Sequence, residues 1–168
     1  MTNGLVPDGR ALIQRASEEC SQYEDQFGIR MPGKALTERI AQQCQMKTIY
    51  SSYRPYGTSV IFATHDMMQP FALYMVEPSG ACFQYYGCAS GRGKQIARNE
   101  IERGNFRNMT VEEALPLFVK ILLKSQDEMK EKKQELELSV MTEANGFVHK
   151  ILPREQTDTL TADAKRAI

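Results

Sequence analysis

The sequence predicts an α+β fold in which antiparallel sheets are covered by helical layers. Helical periodicity comes in pairs of segments, at 7–49 and again at 94–132. Strand-like runs come in groups, at 58–88 and 135–152, rather than singly between helices. Short turn signals join neighbouring strands, which suits hairpins better than the long crossovers of a parallel βαβ sheet. No repeat or linker divides the 168 residues, so a single domain over 1–168 is expected.

Pro7-Asp8 opens the first helix. Leu12, Ala16, Cys20, Tyr23 and Phe27 recur at spacings of four, four, three and four, which places them on one face. Arg15, Glu18, Glu19 and Gln22 read as lying largely outside that stripe, and Gly28 suits the stop. After Pro32-Gly33, a second helix carries Leu36, Ile40, Ala41 and Cys44 inward, as the antiparallel partner of the first.

Strands follow Arg54-Pro55-Tyr56-Gly57. Thr58–Thr64 is rich in β-branched and aromatic residues. Phe71–Val76 and Ala81–Tyr86 flank Glu77-Pro78-Ser79-Gly80, whose proline in second place and glycine in fourth suit a type I hairpin turn. A helix from Lys94 to Arg103 stops at Gly104. Thr110-Val111-Glu112-Glu113 reads as a capping box. The helix behind it should run to about Lys132, with Leu115, Val119, Leu122 and Leu123 inward. Pro116 should kink its second turn or shift its start. Leu136–Met141 and Phe147–Leu152 read as strands joined at Glu143-Ala144-Asn145-Gly146, and 153–168 as a tail or terminal helix.

Composition removes several function classes. Lys+Arg and Asp+Glu number 21 each, so the basic excess of a nucleic-acid binder is missing. No run of about 18 apolar residues suits a membrane span, and Met1–Asp8 has no signal-peptide pattern. Cys20, Cys44, Cys82 and Cys88 form no Cys-x-x-Cys pair, and with only His65 and His149 beside them no metal site is expected. Small buried residues in a reducing compartment are the better reading of these cysteines.

Catalytic motifs fail one by one. The glycines before Lys94 miss a phosphate-binding loop, because Cys88 stands for its first glycine and Gln95 for its hydroxyl residue. They miss a dinucleotide loop because Ile96 stands for the third glycine. No Gly-x-Ser-x-Gly elbow surrounds Ser79 or Ser90. A dyad of Cys82 or Cys88 with His65 is outweighed by core packing, and His65-Asp66 reads as a turn. The run Lys130-Glu131-Lys132-Lys133 reads as a solvated helix end. Thr2, were Met1 removed, could act as an N-terminal nucleophile only by opening a strand in a cleft with a lysine nearby. Asn3-Gly4 interrupts at once and Pro7 opens a helix, so no catalytic residue and no cofactor are expected.

Four stretches, in order, resemble the proteasome α-subunit family. Gly4-Leu5-Val6-Pro7-Asp8-Gly9-Arg10-Ala11-Leu12 is similar to the stretch that opens the family's first long helix. Tyr53-Arg54-Pro55-Tyr56-Gly57 is similar to its Arg-Pro-aromatic-Gly lead into a central strand. Leu73–Gly80 resembles its Leu-Tyr-x-x-Asp-Pro-Ser-Gly hairpin, and Gly87-Cys88-Ala89-Ser90-Gly91 the small-residue turn after it. The likeness to the type-3 branch rests on Phe27-Gly28-Ile29 with Pro32, Tyr86–Ala89, Asp127–Lys132, Glu135–Val140, Asn145-Gly146 and Ile151–Pro153.

The resemblance implies a four-layer αββα sandwich of the N-terminal-nucleophile hydrolase type, here without its usual N-terminal segment. It implies a non-catalytic subunit of a cytoplasmic and nuclear threonine protease complex acting in ubiquitin-dependent degradation. Its partners would be neighbouring α subunits in a heptameric ring, β-ring subunits and a regulatory particle or activator, with no nucleic acid and no membrane. It also implies that Gly4 and Leu5 help line the activator pocket, although Gly4 reads nearly as well as the end of a strand. The gating tail and pocket lysine of the family lie in the segment before Met1, and without its strands Thr58–Thr64 should present an unpaired edge. Glu77, Pro7 and Gly9 depart from the family pattern, as does the missing acidic C-terminal tail. A catalytic β-type subunit and a free-standing binding module are the rival readings.

Overall fold

The stripe through Leu12 and Ala16 folds as α1 (Val6–Phe27), which Gly28 ends in the left-handed region at φ 71°. The structure is a computed structural model that describes residues 1–67, 69–128 and 135–166. The chain divides into two compact units, Met1–Gly91 and Arg92–Ile168.

In the first unit α1 and α2 (Gly33–Ile49) lie on a four-stranded antiparallel sheet in the order β1 (Thr2–Gly4), β2 (Thr58–Thr64), β3 (Ala72–Val76), β4 (Cys82–Tyr85). Alternation along each strand decides which side chains meet the helices. The cross-strand row Thr2, Val60, Val76 and Cys82 is in register. Val60 and Val76 join Leu12, Ala16, Ile40, Ala41 and Cys44 in one buried cluster, against which Leu36, Tyr56, Phe62 and Cys82 pack. The β3–β4 turn is the expected hairpin: Gly80 N–H donates to the Glu77 carbonyl at 2.9 Å, and Gly80 takes φ +86°. A side chain at Gly80 would come within 2.8 Å of the Ala41 carbonyl, so this turn sits directly under α2.

Thr58–Thr64 is not left with a bare edge, because β1 pairs with it: Thr2 opposes Val60, Asn3 opposes Ser59 and Gly4 opposes Thr58. Ile61 N–H also donates to the Met1 carbonyl at 2.8 Å. The apolar stripe of α1 is shorter than expected, and the buried cluster takes only Leu12 and Ala16 from it. Glu19, read as lying outside, is buried on this face, where it accepts from Arg15 and from Arg39 of α2, the latter at 2.7 Å. Arg39 holds its carboxyl below the usual range and is aided by Arg15. Phe27 is 52% exposed and stacks on Tyr23, with ring centroids 4.5 Å apart.

The second unit contains α3 (Lys94–Arg103), α4 (Val111–Glu128), β5 (Ser139–Val140), β6 (Lys150–Ile151) and α5 (Arg154–Arg166). The capping box forms, with Thr110 N–H donating to the Glu113 carboxylate at 2.9 Å and Glu113 N–H to the Thr110 hydroxyl at 3.3 Å. It holds the start of α4 at Val111 although Pro116 lies inside the helix. The lost bond falls on the carbonyl of Glu112, an exposed residue that water reaches. Val119, Leu123, Leu138 and Ala164 make the core here. Leu122 was read inward but is 38% exposed, one position off the buried face that Val119 and Leu123 share.

The last hairpin is much shorter than its alternating pattern suggests. Ser139 opposes Ile151 and Val140 opposes Lys150, and Leu152 N–H reaches the Leu138 carbonyl. Thr142 and Asn145 cap one another around a 3-10 turn at Glu143–Asn145, and Gly146 and Phe147 both take positive φ, 65° and 61°. A strand cannot start through such a backbone. The expected continuation of α4 to Lys132 and the run Lys130–Lys133 lie outside the described residues, as does most of the Asp127–Lys132 stretch.

Leu12 is fully buried and Phe27 is not, so the two ends of one stripe should answer differently to truncation. In urea unfolding, Leu12→Ala should cost about 2–5 kcal/mol. Phe27→Ala should cost about 1 kcal/mol or less. A larger loss at Phe27 would contradict this packing.

Candidate functional site

Gly4 and Leu5 form the link between β1 and α1. Gly4 closes the strand at φ +135°, a conformation that L side chains rarely adopt. A Cβ there would overlap the Gly57 carbonyl oxygen and lie 2.8 Å from the Thr58 Cα. The space a side chain at position 4 would enter is therefore the backbone of the neighbouring strand and not an open cleft. Leu5 N–H donates to the Gly57 carbonyl at 2.8 Å, and the Leu5 carbonyl accepts from Gly9 N–H at 3.0 Å. The Leu5 backbone is thus held on both sides while its side chain stays 55% exposed.

Asp8, in the first turn of α1, completes the arrangement. Its Oδ2 accepts from Gly57 N–H at 2.8 Å and from Arg54 Nη1 at 2.7 Å, and its Oδ1 accepts from Arg54 Nη2 at 2.7 Å. The Arg54 guanidinium also donates to the Pro55 carbonyl at 3.0 Å. The fork geometry is the strong, charge-assisted kind. Hydrogen bonds from Arg54 and then from Gly57 hold the Asp8 carboxyl well below the usual carboxylate range, with the Lys47 charge adding to the effect. Lys47 lies over the rings of Tyr53 and Tyr56, 4.8 and 5.0 Å from their centroids. Both residues singled out from the sequence, Gly4 and Leu5, are in this cluster. Asp8, Arg54 and Lys47 were not singled out. An acid in the first turn of a helix and an arginine before a proline are each common, and only the fold brings them together.

The rejected nucleophiles have structural places. Thr2 does begin a strand, contrary to the argument from Asn3-Gly4, because a glycine at the strand's last residue does not prevent pairing. Its hydroxyl lies against Gly9, where an added Cβ would come within 2.7 Å of it. Cys82 packs on the core beside Thr37, and burial pushes its thiol up. His65 stacks edge-on against Phe71 at 5.5 Å. Asp66 does more than turn the chain: it accepts from Gly33 N–H at 2.9 Å and so caps the start of α2, and from Gln69 N–H at 2.8 Å. Among the described residues no group of three or more His, Cys, Asp and Glu could hold a metal ion, and no helix is long and apolar enough to cross a membrane.

Residues 1–141 match the family model described as "Proteasome subunit". The chain is 42% identical to a protein named "Proteasome subunit alpha type-3" from Dictyostelium discoideum, over 98% of this chain and 66% of that protein. It is 39% identical to the protein of the same name from Arabidopsis thaliana, over 98% of this chain and 66% of the relative. It is 38% identical to a "Probable proteasome subunit alpha type-7" from Schizosaccharomyces pombe, over 98% and 65%. The chain thus spans just under two thirds of the length of these relatives.

The Asp8 cluster should be visible in acid. The carboxyl titrates lower in the folded chain than in the unfolded one, where it sits near 3.9. Its contribution to stability is therefore complete above that value and is lost as pH falls toward the folded value. Urea unfolding from pH 7 down to pH 3 should show wild type losing stability on acidification more steeply than Asp8→Asn. Identical slopes would mean that the carboxylate gains nothing from Arg54 and Gly57.

Proposed function

The chain belongs to the proteasome subunit family, and on that premise we propose that it serves as a non-catalytic α-type subunit of the proteasome core particle. In this role it packs as a four-layer αββα sandwich in a heptameric ring between neighbouring α subunits, stacked on a β ring that carries the catalysis. The ring gates substrate entry and receives a regulatory particle or activator during ubiquitin-dependent degradation, in cytoplasm and nucleus. The observation that carries this reading is the match over residues 1–141, within which the relatives bear α-subunit names. The place of Thr2 supports a non-catalytic role, because its hydroxyl is turned to α1 rather than offered to a substrate.

Within that role the Gly4–Leu5 turn is the docking element for an activator's C-terminal tail. Leu5 supplies an exposed apolar side chain on a fixed backbone, and Gly4 allows the backbone to make the turn. Leu5 is the better residue to probe, because substitution at Gly4 strikes β2 and disturbs the fold along with any docking.

The tagged chain, expressed with its partner subunits, should elute with a particle of several hundred kilodaltons and not near its own 19.1 kDa. Elution only as a free chain would leave the binding-module reading. The isolated chain should not cleave fluorogenic peptides. Activity that survives purification and disappears with Thr2→Ala would establish the catalytic reading instead. In assembled particles, Leu5→Ser should weaken activator-stimulated hydrolysis severalfold while leaving basal hydrolysis unchanged. Full stimulation would remove the docking role.

A further inference from the structure

The arrangement around Leu5 carries one step beyond docking as such, and this step rests on the docking reading. We infer that Asp8 and Arg54 are positioning residues for the Leu5 turn, setting the affinity of an incoming apolar tail without needing to touch it.

The hydrogen bonds run outward from Leu5. The Leu5 amide has the Gly57 carbonyl as its partner, and the Gly57 amide has Asp8 Oδ2. Both polar groups of Gly57 are therefore committed, one to the docking turn and one to the carboxylate. That carboxylate would pivot about its side-chain bonds if Gly57 alone held it. The two-pronged contact with Arg54 fixes its plane. Arg54 is tied in turn to the Pro55 carbonyl, two residues before Gly57, so the loop 54–57 closes on the first turn of α1.

The exposure of the pair has the polarity this role needs. The Asp8 side chain is 9% exposed and that of Arg54 67%, so the carboxylate is sealed against the protein while the guanidinium faces water. A ligand at Leu5 then meets a turn whose backbone is already ordered. Association gains when a loop does not have to be ordered on binding. Lys47 over Tyr53 and Tyr56, on either side of Arg54, adds a second tie to the same loop.

Arginine is specifically required, because a lysine keeps the charge and much of the stem but cannot present two parallel donors. Arg54→Lys and Asp8→Asn are the probes, made in assembled particles, with Leu5→Ser as the docking control. The ligand is a synthetic peptide copying the C-terminal tail of a proteasome activator. Its affinity is measured together with hydrogen exchange at the Leu5 and Gly57 amides. Arg54→Lys should weaken the peptide by about tenfold and speed exchange at both amides, with particle assembly and basal hydrolysis unchanged. Leu5→Ser should weaken the peptide without changing exchange at Gly57. Exchange at both amides that stays at the wild-type rate in Arg54→Lys overturns the positioning inference whatever the binding result. Faster exchange with full peptide affinity in Arg54→Lys also overturns it, because the order of the turn then has no part in recognition. Full affinity in Leu5→Ser overturns the docking reading itself, and the two failures are separate readouts. Should Asp8→Asn fail to assemble, Arg54→Lys decides alone.

Discussion

The contact on which the first unit depends is the close approach of two backbones at Gly4 and Gly57. β1 can reach the edge of β2 and turn at once into α1 only if no side chain stands between them. That approach leaves the Gly57 amide facing the first turn of the helix and away from another strand. An acceptor on α1 can take it, and a carboxylate is favoured there because the helix N-terminus attracts negative charge. Asp8 does so, and a carboxylate brought that far inside must have its own charge met. Arg54 follows as the answer to Asp8. Glycine, acid and arginine thus meet at one point of the fold.

The same logic recurs along the helical layer. Glu19 is buried between α1 and α2, and it too is held by arginine, here by Arg15 and Arg39 together. Asp66 leaves the sheet after β2 and accepts from Gly33, which satisfies one of the amides that the start of α2 would otherwise leave unpaired. The helices are thus joined to the sheet by the apolar cluster in the middle and by carboxylates at its margins. The apolar cluster is non-directional. The carboxylate contacts have direction, and they fix where along the sheet each helix begins.

Much of this fold was legible in the sequence where local chemistry decides the matter. Thr58–Thr64 and Lys94–Arg103 form with the bounds expected, since a turn or glycine punctuates each end. The Thr110–Glu113 box likewise places the start of α4. The failures come from longer range. β1 is three residues ending in glycine, and only the partner strand makes it a strand. Glu19 stands seven residues after Leu12, on the same face by spacing, but residue type argued for solvent and only Arg39 on another helix reverses that. At the last hairpin, alternation predicted strands that the Thr142–Asn145 cap and the positive φ of Phe147 cut to two residues each. For the site, Gly4 and Leu5 came from resemblance. Asp8 and Arg54, forty-six positions apart, could be joined only by the fold.

The parity of β1 bears on chemistry as well as on packing. Thr2 stands opposite Val60, and Val60 opposite Val76, so all three point to the face that α1 and α2 cover. Side chains alternate along a strand, and a shift of one residue in register would turn Thr2 to the opposite face. Such a shift is blocked where β1 ends. Gly4 would move from the one place where its missing Cβ is needed, and the Leu5 amide would lose the Gly57 carbonyl. The geometry that holds the Gly4–Leu5 turn therefore also keeps this hydroxyl against a helix. A strand-opening threonine is not by itself a nucleophile. Its register decides which face it takes, and here the register is set from Gly57.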